Sequence, residues 1–342
     1  MGAKIPETTV KNGEALLEHT ATNADTPEEL EVLEKRLRRK IDLRLCSICG
    51  ILMSLNLVDS GILSSASVTS LFDDLHLYGS RYSVSIFIFS IALVVCQLPG
   101  ALAVRWLGPR VLLSATTVCF GLVTLCTAFI QTWQQMIAMR VLLGIAVAPV
   151  LPGASYLVSS WYPRREQGLR YAILQVFQTC VMATGTLISF GLNHLDGRAG
   201  LRGWRWMYLV HGLAATVIGI VSYWWMVDFP ENAQKSFCFL SEKETQLVVA
   251  CIDRDRRDVI AEPFAWRRIL VHLVDPKSYL FATMGFVGNM VSTTLSYFLP
   301  IIIQGMGFSS NMAILLSTPV RRLPPALRLC ACTVSSPSAD RR

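Results

Sequence analysis

Residues 135–153 read QMIAMRVLLGIAVAPVLPG, and seventeen of the nineteen are apolar, small or proline. A run of this length nearly crosses a bilayer, since about 20 residues rising about 1.5 Å each span a hydrocarbon core of roughly 30 Å. The exceptions are Gln135 and Arg140. An arginine keeps its proton under all ordinary conditions, so its presence in an apolar run demands partners.

The same length test picks out seven blocks, approximately 43–68, 82–104, 111–130, 136–160, 171–192, 207–227 and 279–303. An eighth begins near Phe308 and breaks off around Thr318. Residues are 52% hydrophobic and only 16% charged, against about 25% charged in soluble domains. Seven such runs exceed what a soluble core buries, so the sequence predicts an all-α polytopic membrane protein. Residues 1–42 are acidic and then basic (Lys35, Arg36, Arg38, Arg39, Lys40), with no apolar run of the signal-peptide kind. Thr26-Pro27-Glu28-Glu29 reads as a helix start leading into the first span.

The net charge of +7 fits a positive-inside distribution rather than a nucleic-acid partner. With a cytosolic N-terminus, Arg105 and Arg110, then Arg164, Arg165 and Arg170, fall on the cytosolic side. Arg198, Arg202 and Arg205 break the pattern on the other side. Cys46 and Cys49 match C-x-x-C, but no second pair completes a metal site, and buried apolar cysteine is the expected state. No nucleophile, metal spacing, paired carboxylates or nucleotide-binding glycine loop stands out, so neither an enzyme nor a cofactor is expected.

The blocks divide the chain into a cytosolic tail (1–42), a six-helix bundle (43–227), a cytosolic linker (228–277), the start of a second bundle (278–318) and an atypical tail (319–342). Ser241-Glu-Lys-Glu244 is a capping box in the linker, and the mixed-sign run 253–258 reads as a solvated face. The tail, PVRRLPPALRLCACTVSSPSADRR, is too rich in Arg, Pro and Ser to complete a membrane helix.

Several stretches carry a resemblance: PGALAVRWLGPR (99–110), RVLLGIAVAPVLPGASYLVSSWYPRRE (140–166), GWRWMYLVHG (203–212), VDFPE (227–231) and FLPIIIQGMGFS (298–309). In order, over about 36–319, they resemble the major facilitator superfamily, and within it the fungal anion:cation symporters of allantoate permease type. The resemblance implies a twelve-helix, two-bundle fold that moves a small, often anionic nutrient together with protons, in the plasma membrane; a monomer is the default expectation. Of the branch's L-D-R-S-N element only the acid remains, in Val58-Asp59-Ser60-Gly61-Ile62; Arg105, Val147 and His211 stand where the superfamily or branch commonly has acids. Two alternatives stay open: a metabolite or drug exporter of the same fold, and a truncated or misread product that does not transport.

Depth supplies the expected partners of Arg140. It lies about five residues into a span that runs inward, roughly 7 Å below the outer edge. Asp59, on a span that runs outward, comes within about 8 Å of the same edge, and His211 within roughly 6 Å. Asn56, Asp59, Ser60, Ser64 and Ser67 also make one polar face on the first span. Arg140 is therefore expected to pair with or approach Asp59, with His211 close and the better candidate to carry a proton. The cluster would bind an anionic group or couple protons, or else simply lock helices. Gln175, Gln178, Asn289 and Tyr297 are candidates for substrate contact or for gluing helices. By resemblance Arg105, Gly108 and Arg110 belong to a cytosolic gate; otherwise they anchor the inner face. Trp204, Trp206, Trp224 and Trp225 bracket the sixth block as an aromatic belt would.

Overall fold

The computed structural model describes residues 27–162, 164–229 and 276–317. Thr26, the capping box at 241–244, the run 253–258, Cys330, Cys332 and the tail 319–342 lie outside the described residues. Among the described residues, seven helical stretches are long and apolar enough to cross a membrane: Arg39–Ser67 (span 1), Arg81–Val104 (span 2), Pro109–Thr127 (span 3), Trp133–Trp161 (span 4), Glu166–Asn193 (span 5), Gly203–Trp225 (span 6) and Pro276–Gly305 (span 7). A further helix, Ser310–Ser317, follows span 7. No strand occurs among the described residues.

Local chemistry sets the helix ends. Pro27 opens one continuous helix that runs to Ser67, so the basic stretch and span 1 form a single rod. Thr132 and Gln135 close a reciprocal capping box at the start of span 4, which satisfies two otherwise orphaned amides. Span 4 is broken: one helix ends at Val147 and the next runs Val150–Trp161, with Pro149 at the join. The helix of span 5 starts at Arg164, before its apolar block, because polar residues extend a helix as readily as apolar ones. The helix Arg81–Leu107 that holds span 2 and the helix of span 3 are joined by Gly108 alone, whose φ of 81° ends one and begins the next.

The bundle packs mainly as the pairs 3 with 6, 1 with 5 and 2 with 4. Small residues make the close approaches. A Cβ on Gly121 would lie 2.4 Å from the Thr216 amide nitrogen, and one on Gly212 would lie 2.5 Å from that of Leu125. Ser222 donates to Ser114 at 3.1 Å along the same 3–6 seam. Between spans 2 and 4, a Cβ on Gly144 would meet the Phe89 carbonyl at 2.8 Å. Phe87, Ile91, Val94, Val95 and Leu98 on span 2 are exposed on the outside of this bundle.

Arginines tie the ends of spans 1, 3, 5 and 6 on the side where the chain enters span 1. Arg44 donates to the carbonyls of Trp225 and Trp224, and Arg110 to that of Tyr223, so two cations sit on the C-terminus of span 6. Replacing either with methionine is expected to cost about 0.3–1 kcal/mol, read as a lowered unfolding temperature in detergent. Arg170 is 8% exposed. It binds Asp42 of span 1 at 3.2 Å and Glu166 at 3.1 Å, and it lies over the Tyr162 ring. Burial, with Cys46 and Asp42 nearby, pushes the Tyr162 hydroxyl above its ordinary range, so it stays protonated. Cys46 and Cys49 are buried in this region with free thiols.

Two of the three arginines that break the positive-inside pattern, Arg202 and Arg205, have protein partners. Arg205 donates to the Ile130 carbonyl and lies over Trp204. Arg202 lies 3.7 Å from Asp74, which sits on the short helix Leu71–Asp74 between spans 1 and 2. One belt assignment is corrected. Trp204 is fully buried, and its indole N–H donates to Asp74 at 2.8 Å, so it fastens span 6 to the loop between spans 1 and 2. Trp224 and Trp225 remain exposed at the inner end.

Candidate functional site

Arg140 is 2% exposed and Asp59 is fully buried, and the two meet: Nη1 donates to Oδ2 at 2.7 Å. The guanidinium's other arm donates to the Tyr208 hydroxyl at 3.0 Å. Spans 1, 4 and 6 therefore converge on one charge pair. Leaving either charge without its partner in such a place is costly, which explains why an arginine is tolerated in an apolar run. Tyr82 of span 2 and Tyr297 of span 7 are buried within electrostatic reach of the pair.

The second carboxylate oxygen, Asp59 Oδ1, is buried with no hydrogen-bond partner among the described residues. Ser64 Oγ, further out on span 1, is in the same state. A carboxylate that faces a guanidinium with one oxygen and has the other unengaged can accept a proton. If it does, the guanidinium is released to bind another anion.

His211 does not join this pair by a hydrogen bond. Its Nδ1 lies 2.9 Å from the Met207 carbonyl. A carbonyl only accepts, so Nδ1 carries the hydrogen in the neutral ring and Nε2 is left as a lone-pair base. Nε2 has no partner among the described residues and points toward Gly185, where a Cβ would lie 3.9 Å from it and 3.7 Å from the Val58 methyls. The expected cluster of three thus separates into a pair completed by Tyr208 and a histidine beside Val58, the neighbour of Asp59.

The remaining candidates are dispersed. Gln178 is buried, whereas Gln175 is exposed. Asn289 is exposed and donates to its own helix at Gly285. Tyr297 is buried, and its carbonyl accepts from the Tyr82 hydroxyl at 3.2 Å. Arg105 lies on the last turns of the helix Arg81–Leu107. Gly108 makes the inner turn, and a Cβ there would lie 3.6 Å from Asp228 Oδ1. Arg110 is turned onto Tyr223 within the same bundle.

Two contributors escaped the sequence. Tyr208 carried a signal, since it lies three residues before His211 and so near its face of the helix. Tyr82 carried none: it is one aromatic residue among many at the start of an apolar block. Among the described residues no cluster of His, Cys, Asp and Glu is arranged to hold a metal ion.

Residues 49–329 match the sequence profile of the Major Facilitator Superfamily. The chain belongs to the major facilitator superfamily. Membership and the seven apolar helices together make it an integral multi-pass membrane protein. An uncharacterized transporter of Schizosaccharomyces pombe is 31% identical over 291 residues, covering 85% of this chain and 60% of that protein. The high-affinity nicotinic acid transporter of Saccharomyces cerevisiae is 28% identical over 309 residues, covering 88% of this chain and 55% of that protein. The chain therefore spans little more than half the length of these major facilitator relatives. Among solved structures, the xylose transporter XylE from E. coli, in a partially occluded inward-open conformation, is similar in fold, with a TM-score of 0.54 at 15% identity. That likeness covers 86% of this chain and 71% of XylE.

Proposed function

We propose that the chain is the first bundle and part of the second of a secondary transporter, one that moves a small organic anion with protons by alternating access. The observation that carries this reading is the buried Arg140–Asp59 pair with its unengaged carboxylate oxygen. In the proposed cycle a proton adds to Asp59 and neutralises it. The guanidinium of Arg140, still held by Tyr208, then takes the carboxylate of the solute. Release of solute and proton on the other side restores the pair. Proton binding thus opens the site to the solute, so the two bind and cross together, which is how a proton gradient drives accumulation. His211 is a second proton acceptor beside span 5, and Gln178 an additional polar contact. Arg105, Gly108 and Arg110 line the inner gate region.

Names of relatives support the solute class: the budding-yeast protein is named for nicotinic acid, which is a monocarboxylate at neutral pH. Stretches shared with the allantoate permease type, the plasma membrane as host and a monomeric state belong to the same proposal.

The test is uptake of radiolabelled nicotinate and related monocarboxylates by cells expressing the chain, at external pH 5 and 7, beside Asp59→Asn. Acid-stimulated accumulation that becomes insensitive to pH in Asp59→Asn is expected, with a drop of about tenfold or more in the coupled rate. Uptake that ignores pH in the unmodified chain sinks proton coupling. Outward movement from preloaded cells with no uptake makes it an exporter. Absence of movement in either direction for every anion tried removes the transporter reading from this chain.

A further inference from the structure

Three hydrogen bonds connect spans 7 and the following helix to the first six spans at their outer ends. The Asn193 side-chain amide, at the end of span 5, donates to Asn311 Oδ1 at 2.7 Å. Gln304, at the end of span 7, donates to the Val68 carbonyl at 3.4 Å, just past span 1. The Tyr82 hydroxyl of span 2 donates to the Tyr297 carbonyl at 3.2 Å. The Tyr82 ring also meets Phe72 and Phe298 edge-on, with centroids 5.2 and 5.7 Å away. Ile314 and Tyr297 join the buried core of the outer half.

The inner half of span 7 differs. From Pro276 to Thr294 the described side chains are exposed, and burial begins only at Leu295. The span leans on the first bundle with its outer third and stands clear of it below. Pro300 lies within that outer third. Lacking an N–H, it cannot bond the Ser296 carbonyl, and its ring crowds this turn. The turn is loosened at the point where the Tyr82 hydroxyl reaches the Tyr297 carbonyl.

We propose that the Asn193–Asn311 amide pair, with Tyr82–Tyr297 and Gln304–Val68, is a latch that holds the outer side closed, and that opening to the outside breaks it. This rests on the alternating-access reading above. An amide pair suits the task. Each partner can satisfy its hydrogen bonds with water when released, so parting it leaves no buried charge. The Arg140–Asp59 pair has no such exit. Tyr82 and Tyr297 belong to the latch and are also buried within electrostatic reach of the charge pair, so a change there reaches the latch through them.

The experiment uses the full chain in membranes and needs no transport. Asn193→Cys and Asn311→Cys are combined in a chain with a protease site inserted at 228–277, and a short bifunctional thiol reagent is applied before cleavage. The two fragments are expected to stay joined in the double variant and not in either single. If the double variant joins no better than the singles, the contact is overturned.

Separately, Ser64→Cys is labelled with an impermeant thiol reagent from the outside, in chains carrying Asn193→Ala or Asn311→Ala, with the chain lacking Ser64→Cys as background. Labelling is expected to rise about two- to tenfold in both, the population shift that loss of one hydrogen bond allows. Fragments that join while labelling stays unchanged make the pair a static contact and overturn the latch. Failure of the uptake assay with both of these results intact overturns the transport reading and leaves the latch.

Discussion

Asp59→Ala is expected to destabilise the folded chain by about 3–5 kcal/mol, because it leaves the Arg140 guanidinium buried without its counter-charge. Arg140→Ala should cost a similar amount for the converse reason. The double variant is expected to be less damaged than the sum, and closer to one single change than to two, since it removes both charges together. Thermal unfolding in detergent gives the three values and their coupling. Both side chains are at most 2% exposed and stand 2.7 Å apart, so there is little solvent to soften the loss. Additive single effects would mean that the two residues act independently, and the charge pair would then explain nothing about how span 4 tolerates its arginine. Tyr208→Phe provides a finer probe. It removes one hydrogen bond to a charged group, worth about 1.5–3 kcal/mol, while keeping the ring in place.

The second large effect is steric. Gly121→Ala and Gly212→Ala are each expected to cost about 1–3 kcal/mol or more, as overpacking does, with the larger values favoured because the clashing atoms are backbone. The added methyl would stand 2.4 Å from Thr216 and 2.5 Å from Leu125, and neither backbone can turn aside as a side chain can. Gly191→Ala is the comparison. It lies in a span of similar apolar character, yet nothing comes within 4 Å of its Cβ position. It should be neutral or slightly stabilising, since alanine is the better helix former. Equal effects at all three positions would show that helix propensity rather than the seam between spans 3 and 6 governs stability.

The spans were legible because their signal is a simple one: enough apolar residues in a row to cross a known thickness. Their ends were less so. The helix that begins at Arg164 extends through polar residues that hydropathy cannot register. Pro149 sits at the break in span 4, where proline acts on the backbone whatever its surroundings. Depth was also legible, since it follows from rise per residue, and Arg140 and Asp59 do stand together. Direction around the helix axis was not. Tyr208 and His211 differ by less than one turn, so counting depth cannot say which reaches Arg140. The hydroxyl does so, while the imidazole turns to Met207 and Gly185. Trp204 was misread for a related reason. An indole at a span end suits the lipid interface in general, but its acceptor here is Asp74, 130 residues earlier in the chain. No local pattern encodes a partner that distant. Arg110, proposed to line the inner gate, reaches the Tyr223 carbonyl 113 residues later in the chain, another partner that no local pattern encodes.

Gly108 belongs to two helices at once, as the last cap of one and the first of the next. Such a joint contains no spare chain, and this bears on biosynthesis. Spans 2 and 3 are therefore expected to enter the bilayer in a relation fixed at this joint, before each finds its main partner, span 2 in span 4 and span 3 in span 6. A residue inserted at this joint would therefore act first on whether the protein is made at all, before any effect on how the finished molecule works.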